Sequence, residues 1–467
     1  MKGIISKSAR NLSFSIFRES ANIPIVMIIS SKKEKFFLII GDLFIFAFSL
    51  WISLVLRDTD SSLWNNFTSL LIPFSFIFVL WIIVFFIAGL YDKYTTILKD
   101  RMPGIIFNAE LVNSGIAIAF FYLLPYFGVA PKTILFLDLV VTFILVYAWR
   151  IYSHAILGSK RKEPAILVGS GEEMQNILKE INENPRSELK FVLPVDLDKQ
   201  NDVSYVQNIL QKIKSEGVSV VVIDLKDKRI EPILPILYNQ IFQGVKFIDM
   251  DKLYEDVFDR VPLSFLEYDW FLENISLKHD AAYLFVKRFF DIIISIILGI
   301  LLCIMFPFVA LAIKFEDGGP IFFVNNMVGK NNKPIKIAKF RSMSVKEKEK
   351  ITKVGIFLRK TRIDEFPQVL NVLKGDLSLI GPRPEKQNLV EVYEKEIPYY
   401  DIRYLVTPGL SGWAQIWQEN PPKYGVDFNN TKVKLSYDLY YVKNRSLMLD
   451  LNIGLKTIKD LLSRRGK

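Results

Sequence analysis

The chain has 467 residues, 51% of them hydrophobic and 13% aromatic, with a mean hydropathy of +0.26 and 59 basic against 49 acidic residues. This composition excludes a disordered tail, a small disulfide scaffold and an ordinary cytosolic globule. The net charge of +10 suits anionic lipid head groups, phosphorylated substrates or nucleic acid without choosing among them. The lone Cys303 sits in an apolar run, and His154 and His279 have no second histidine or thiol at ligand spacing. Zinc hydrolases and Ser/His triads are therefore disfavoured, leaving carboxylates, basic side chains and a hard metal to carry any chemistry.

Four apolar stretches occupy the first third, from Phe36 to Leu56, Leu70 to Leu90, Ile105 to Phe127 and Ile134 to Ile156. Each is about 20 residues, enough for a helix to cross a hydrocarbon core of roughly 30 Å. Glu110 is the conspicuous acid among them, placed either near an interface or against a neighbouring helix. Lys32, Lys33 and Lys35 precede the first span, Lys93, Lys99 and Arg101 fill the second connection, and Lys160, Arg161 and Lys162 follow the fourth. The other connections hold Arg57 and Lys132, so both ends of the block are expected on the cytoplasmic side. The first thirty residues lack the apolar core and small-residue cleavage site of a signal peptide.

Beyond the fourth span, Ala165 to Val168 reads as a strand entering Gly169-Ser170-Gly171 and a helical pattern through Met174, Ile177, Leu178 and Ile181. Val218 to Ile223 and Val245 to Ile248 are further buried strands, and the alternation predicts a parallel, Rossmann-like sheet. The third glycine of a dinucleotide fingerprint is replaced by Met174, which favours a structural or regulatory fold over cofactor binding. Glu255 to Phe271 is expected to link this unit to the next.

A fifth apolar segment, Phe285 to Ile313, opens with Lys287, Arg288 and Asp291, contains Pro307 and precedes a lysine-rich stretch from Lys330 to Lys339. Basic residues on both sides oppose a crossing, so a helix that breaks near Phe306 and Pro307 and returns to the same face is preferred to an ordinary span.

The last third is dense in short motifs: Asp317-Gly318-Gly319-Pro320, Lys339-Phe340-Arg341-Ser342-Met343, Asp364-Glu365-Phe366-Pro367-Gln368, Gly381-Pro382-Arg383-Pro384 and Pro408-Gly409-Leu410-Ser411-Gly412. Pro367 and Gly375 predict a short helix beginning near Asp364, whose positive end, with Arg359, Lys360 and Arg362, would hold Asp364 and Glu365 ionised. The alternative is an N-cap and a solvated first-turn acid. Arg383 between two prolines suits bidentate phosphate recognition, or is a solvent-facing arginine on a stiff turn. Lys339 and Arg341, two apart on an extended stretch, are expected to face one side, toward a polyanion or solvent. Carboxylates, rigidly held arginines and an adjacent membrane element fit phosphoryl chemistry at a lipid interface, with Mg2+ offsetting diphosphate charge.

These motifs, in this order, resemble those of the bacterial sugar transferases that make polyprenyl-diphosphate sugars, and the spans plus the degenerate Rossmann-like unit resemble their long form. The resemblance implies a cytoplasmic N-terminal segment (1–33), a four-helix transmembrane block (34–157), a Rossmann-like regulatory or structural domain (158–278) and a monotopic, mostly helical catalytic domain with a re-entrant helix (279–467). It also implies transfer of a sugar-1-phosphate from a UDP-sugar to undecaprenyl phosphate with release of UMP, at the cytoplasmic face of the bacterial inner membrane. The product would initiate exopolysaccharide, capsule, O-antigen or glycoprotein glycan assembly. Asp364 would be the nucleophile, Glu365 the Mg2+ ligand, Arg383 the phosphate-binding arginine and Asp438 a late acidic position of the site, with Lys339, Arg341 and Arg359 lining it.

Two departures stand out: Asn325-Asn326-Met327 where the family commonly has Gln-x-Arg, and Gln418-Glu419 where it has Gly-Arg. They motivate the alternative of a weakened scaffold for polysaccharide assembly. A membrane-bound nucleotide-sugar dehydratase would need a Tyr-x-x-x-Lys pair inside the Rossmann-like unit, and Tyr283 and Lys287 lie outside it. Membrane lipid is an expected partner, a homo-oligomer is left open, and nucleic acid is disfavoured because the lysines flank membrane segments.

Overall fold

The structure is a computed structural model that describes residues 32–57, 63–91, 102–123, 132–157, 162–184, 187–200, 205–275, 281–345, 350–422 and 425–462. The N-terminal segment to residue 31, the connection holding Lys93, Lys99 and Arg101, the residues Lys160 and Arg161, and His279 lie outside them, as does the side chain of His154. The chain forms two compact units, Met1–Phe258 and Asp259–Lys467. It is mostly helical, and among the described residues five helices are long and apolar enough to cross a membrane.

In the first unit α1 (Lys32–Arg57), α2 (Leu63–Ala88), α3 (Met102–Leu123) and α4 (Lys132–Leu157) occupy the four predicted spans. Successive helices pack on one another, and α1 closes on α4. Their inner faces bury Phe46, Trp81 and Phe85, with Phe46 edge-on to Trp81 at 5.2 Å. Their outer faces are apolar too, exposing Phe44, Phe76 and Ile118, as helices facing hydrocarbon must. α2 ends where Gly89 enters the left-handed region (φ 84°), allowing the Leu90 N–H to close on the carbonyl of Phe85 at 3.0 Å.

The interior of this block is polar as well as aromatic. Arg150 Nη2 meets Asp42 Oδ2 at 2.5 Å, Tyr91 donates to the same oxygen at 2.7 Å, and Ser49 donates to Asp138 at 2.6 Å. Glu110 faces inward, almost fully buried.

β1 (Glu163–Gly169), α5 (Gly171–Glu183), β2 (Leu189–Asp196), α6 (Tyr205–Glu216), β3 (Val220–Ile223), α7 (Leu234–Ile241), β4 (Lys246–Asp249) and α8 (Met250–Phe258) complete the unit. The four strands form a parallel sheet in the order β2-β1-β3-β4. β2 was not expected from the sequence, because Pro194 interrupts its pattern; proline is tolerated there since β2 is an edge strand. Gly169 is required by packing, as a Cβ there would lie 2.7 Å from the sulfur of Met250. Glu172 and Glu173 put negative charge into the first turn of α5.

In the second unit, α9 (Tyr268–Asn274) carries Trp270 into a core with Tyr393, Tyr400 and Leu439. α10 spans Ala281–Asp317, 37 residues or about 55 Å. It stays helical through Phe306 and Pro307, so the expected break is not an interruption of secondary structure. A proline removes one backbone hydrogen bond, and the apolar run on either side keeps the helix going.

Both halves of α10 pack on the same body. Near its start Arg288 donates to the carbonyls of Val372 and Leu373 at 2.6 and 2.8 Å, and Asp291 accepts from Ser378 Oγ at 2.8 Å. Near its end Phe306 stacks on Phe322 at 5.8 Å, and Leu302, Val309 and Ile313 share a core with Phe340 and Leu358. The rest of its surface is exposed and apolar, including Phe285, Ile297, Ile304 and Phe308.

The hairpin β5 (Phe322–Val328) and β6 (Pro334–Phe340) follows, then α11 (Lys353–Thr361), a 3-10 turn (Ile363–Gln368) and α12 (Val369–Lys374). β7 (Ser378–Ile380) pairs in parallel with β8 (Gly409–Ser411), with α13 (Gln387–Glu396) and a second 3-10 turn (Tyr400–Leu405) between them. α14 (Trp413–Trp417), α15 (Phe428–Asn444) and α16 (Leu447–Leu462) close the unit.

The Asp42–Arg150 pair yields a prediction for the four-helix block. Arg150→Ala, which leaves Asp42 buried without its cation, should cost about 3–5 kcal/mol. The expected reading is a marked fall in thermal stability of the detergent-solubilised protein, largely recovered in Asp42→Leu/Arg150→Met.

Candidate active site

Asp364 and Glu365 lie in the 3-10 turn rather than in an α-helix; α12 begins at Val369. Arg362 turns the chain through the left-handed region (φ 57°) just before them, and Pro367 lies inside the turn, before α12 begins. β6 packs against the turn and brings Lys339 to Glu365, Nζ to Oε1 2.7 Å. The loop after β7 brings Arg383, whose Nη2 donates to the same oxygen at 2.7 Å.

The close approach of two glycine motifs fixes that loop. The Gly381 N–H donates to Ser411 O at 2.8 Å and the Gly409 N–H to Pro382 O at 2.9 Å, and a Cβ on Gly381 would lie 2.5 Å from Thr407 O. Gly-Pro-Arg-Pro and Pro-Gly-x-x-Gly are thus two sides of one backbone contact. Gly355 similarly lets α11 sit on the backbone of Ser342, and one turn on Arg359 Nε donates to Ser342 Oγ at 2.8 Å.

The surroundings push the two acids in opposite directions. Burial would raise Glu365, but Arg383 and Lys339 outweigh it and hold this carboxyl well below the usual range. Asp364 is pushed up, first by burial and then by the Glu365 charge, against the opposing pull of Lys339, Arg359 and Arg362. The cause of ionisation expected from a helix end is corrected: the pair lies in a 3-10 turn, side-chain cations hold Glu365 ionised, and burial and the Glu365 charge oppose the ionisation of Asp364.

Two expected lining residues are placed elsewhere. Arg341 does not join Lys339 at the acid pair. It follows the last residue of β6, donates from Nη1 to Asp317 Oδ2 (2.6 Å) and from Nε to Pro320 O (2.6 Å), and pairs through Nη2 with Asp317 Oδ1, clamping the Asp-Gly-Gly-Pro turn. Asp438 is 1% exposed, paired with Arg403 at 2.7 Å. It reaches the acid pair only indirectly, because Arg403 also donates to the backbone carbonyl of Arg383 at 2.8 Å and to Tyr400 Oη at 2.7 Å.

Sequence reasoning missed Arg403, which lies in none of the motifs and meets its partner 35 residues later in the chain. Lys434 is the readable signal: it is four residues before Asp438 on α15 and pairs with Glu385, so that helix face carries buried charge. The departures from the family pattern serve packing: Met327 lies against the core of Ile337, Val372 and Leu377, and Gln418 donates to the carbonyls of Asn420 and Asn430 at 3.1 and 2.8 Å.

Asp364 accepts no hydrogen bond among the described residues, nor does Oε2 of Glu365, and no third acid or histidine is grouped with them. Two adjacent carboxylates suit Mg2+, which keeps several waters and takes its remaining ligands from substrate phosphates.

A carboxylate pair beside three cations, on a body joined along both halves of a long apolar helix, defines a membrane-associated domain built to handle anionic groups. Residues 282–464 match the family described as bacterial sugar transferase. The chain is 43% identical over 202 residues to the UDP-N-acetylgalactosamine-undecaprenyl-phosphate N-acetylgalactosaminephosphotransferase of Aeromonas hydrophila, covering 41% of this chain and 47% of that protein. It is 36% identical over 186 residues to the UDP-glucose:undecaprenyl-phosphate glucose-1-phosphate transferase of Escherichia coli (strain K12), 37% of this chain and 39% of that protein. A third relative, the exopolysaccharide production protein PSS of Rhizobium leguminosarum bv. phaseoli, is 36% identical over 201 residues, which are 39% of this chain and 97% of PSS. The matched region thus spans less than half of the first two relatives and nearly all of the third. The chain belongs to the bacterial sugar transferase family.

The electrostatics of the pair predict a pH effect with a definite sign. If Asp364 must be ionised to react, its reactivity falls as pH falls, with a midpoint above the ordinary 3.8 of an aspartate. Glu365→Gln removes the neighbouring charge and should move that midpoint downward. A pH profile of single-turnover labelling reads both.

Proposed function

We propose that the protein is a phosphotransferase that moves a sugar-1-phosphate from a UDP-sugar to undecaprenyl phosphate and releases UMP, beginning the assembly of a polysaccharide or other glycan. The observation that carries this reading is the asymmetry of the acid pair: Glu365 is bound by Lys339 and Arg383, while Asp364 beside it is left without a hydrogen-bond partner among the described residues. A partnerless carboxylate next to fixed cations is suited to attack an anionic phosphorus centre.

In the proposed reaction Asp364 forms a bond to the sugar-bearing phosphorus, and the bond to the bridging oxygen breaks, its electron pair leaving with UMP. An oxygen of undecaprenyl phosphate then attacks the same phosphorus and restores the Asp364 carboxylate. Arg383, Lys339 and Arg359 offset the diphosphate charge during both displacements. Glu365, whose Oε2 accepts no hydrogen bond among the described residues, would hold Mg2+, which supplies further charge neutralisation at the phosphates when bound. Arg403 and Asp438 act at one remove, holding the backbone from which Arg383 projects.

α10 is read as re-entrant, entering and leaving the membrane by one face. Supporting this, Arg288 near its start and Phe306 in its second half both pack on the same unit, while most of its remaining surface is apolar. That face is read as cytoplasmic, at the inner membrane, a reading supported by the basic residues in the connections of the N-terminal block. The four-stranded parallel sheet is read as a degenerate Rossmann-like domain with a structural or regulatory role.

The test is UMP release by the detergent-purified chain with Mg2+, undecaprenyl phosphate and a panel of UDP-sugars. Wild-type protein should release UMP with at least one donor, and Asp364→Asn should lower the rate at least about a thousandfold. Equal rates in the two proteins would remove Asp364 from the chemistry.

A further inference from the structure

A cavity of about 140 Å3 lies where the first turns of α10 meet the start of β7 and the end of α15, apart from the residues that touch Glu365. Four cations line it, Lys287, Arg288, Lys330 and Arg445, against one acid, Asp291. Asp291 is engaged, accepting from Ser378 Oγ at 2.8 Å and the Leu379 N–H at 3.1 Å. Lys287 is balanced by Asp450 at 2.9 Å just outside the lining.

Counting Asp450, four positive charges face two negative ones, leaving a surplus of two. Arg288 is tied to neutral carbonyls alone, and Lys330 has no side-chain partner among the described residues. The volume is below the roughly 300 Å3 of sites for drug-sized ligands, so it accepts a small anionic group and excludes a sugar nucleotide.

The position on α10 identifies the source of that anion. Leu284 lines the cavity while 45% exposed, Phe285 beside it is 74% exposed, and the exposed surface of the helix is apolar from there on. On the reading that α10 is embedded, the cavity sits at the level of lipid phosphates, where Lys and Arg attract anionic lipid. We propose that this cavity binds the phosphate ester of a membrane lipid, with its acyl or isoprenyl chain running along the exposed face of α10.

The test uses the full chain in detergent and measures equilibrium binding of three separate probes: dihexanoylphosphatidylglycerol, geranyl phosphate and inorganic phosphate. Lys330→Gln/Arg445→Gln is compared with wild type and with Lys395→Gln, an exposed lysine on α13, and thermal melting checks that each variant is folded. The double variant should bind one or both lipid phosphates at least about tenfold more weakly, which is about 1.4 kcal/mol, while Lys395→Gln matches wild type. A loss confined to phosphatidylglycerol assigns the site to bulk phospholipid, and a loss confined to geranyl phosphate assigns it to the polyprenyl acceptor. Unchanged lipid binding in the folded double variant, or binding of inorganic phosphate alone, would overturn the proposal. Covalent labelling of Asp364 in the wild type without acceptor reports separately on the transfer reaction, so either reading can fail alone.

Discussion

One carboxylate oxygen, Oε1 of Glu365, gathers the three segments of the candidate site. Lys339 arrives on β6, Arg383 on the loop after β7, and Glu365 itself on the 3-10 turn between α11 and α12. Bringing two cations together is unfavourable unless a negative charge lies between them, and Glu365 supplies it. The same arrangement governs Asp364. Its neighbour stays ionised, so the nucleophile candidate is deprotonated against both burial and a like charge, and the surrounding cations partly offset that cost.

The second constraint is the attachment of α10. Its first turns are fixed by Arg288 to the C-terminal carbonyls of α12, where a cation also meets the negative end of the helix, and its later turns by aromatic stacking onto the hairpin. α12 directly follows the turn that bears Asp364 and Glu365, and Lys339 lies on the hairpin. The elements that hold the acid pair are therefore the ones that grip the apolar helix. The proposed reaction, between a water-soluble nucleotide sugar and a lipid phosphate, would need such a linkage.

The sequence was most informative where local pattern decides structure. The four long apolar helices, all three expected sheet strands and the adjacency of Asp364 and Glu365 were legible from hydropathy, period and motif. It was least informative where a charged residue's partner lies far along the chain. Arg341 looked like a site residue because it sits in a motif and Asp438 because the resemblance implied it, yet Asp317 and Arg403 consume them in the interior. Arg403 stood outside every motif, although it anchors the backbone of Arg383. The helix start was misplaced by five residues because Pro367 and Arg362 favour a tight 3-10 turn before α12. Motif density marked the region that holds the candidate site, and only tertiary pairing separates the groups left open beside Glu365 from those committed to interior partners.

The most direct measurement is intact-protein and peptide mass analysis after incubation with a UDP-sugar and Mg2+ but no lipid acceptor. The proposed reaction predicts a phosphosugar adduct on the peptide containing Asp364, formed with stoichiometric UMP and discharged when undecaprenyl phosphate is added. Steady turnover with acceptor present, but neither adduct nor UMP in its absence, would contradict a covalent intermediate and point to direct transfer.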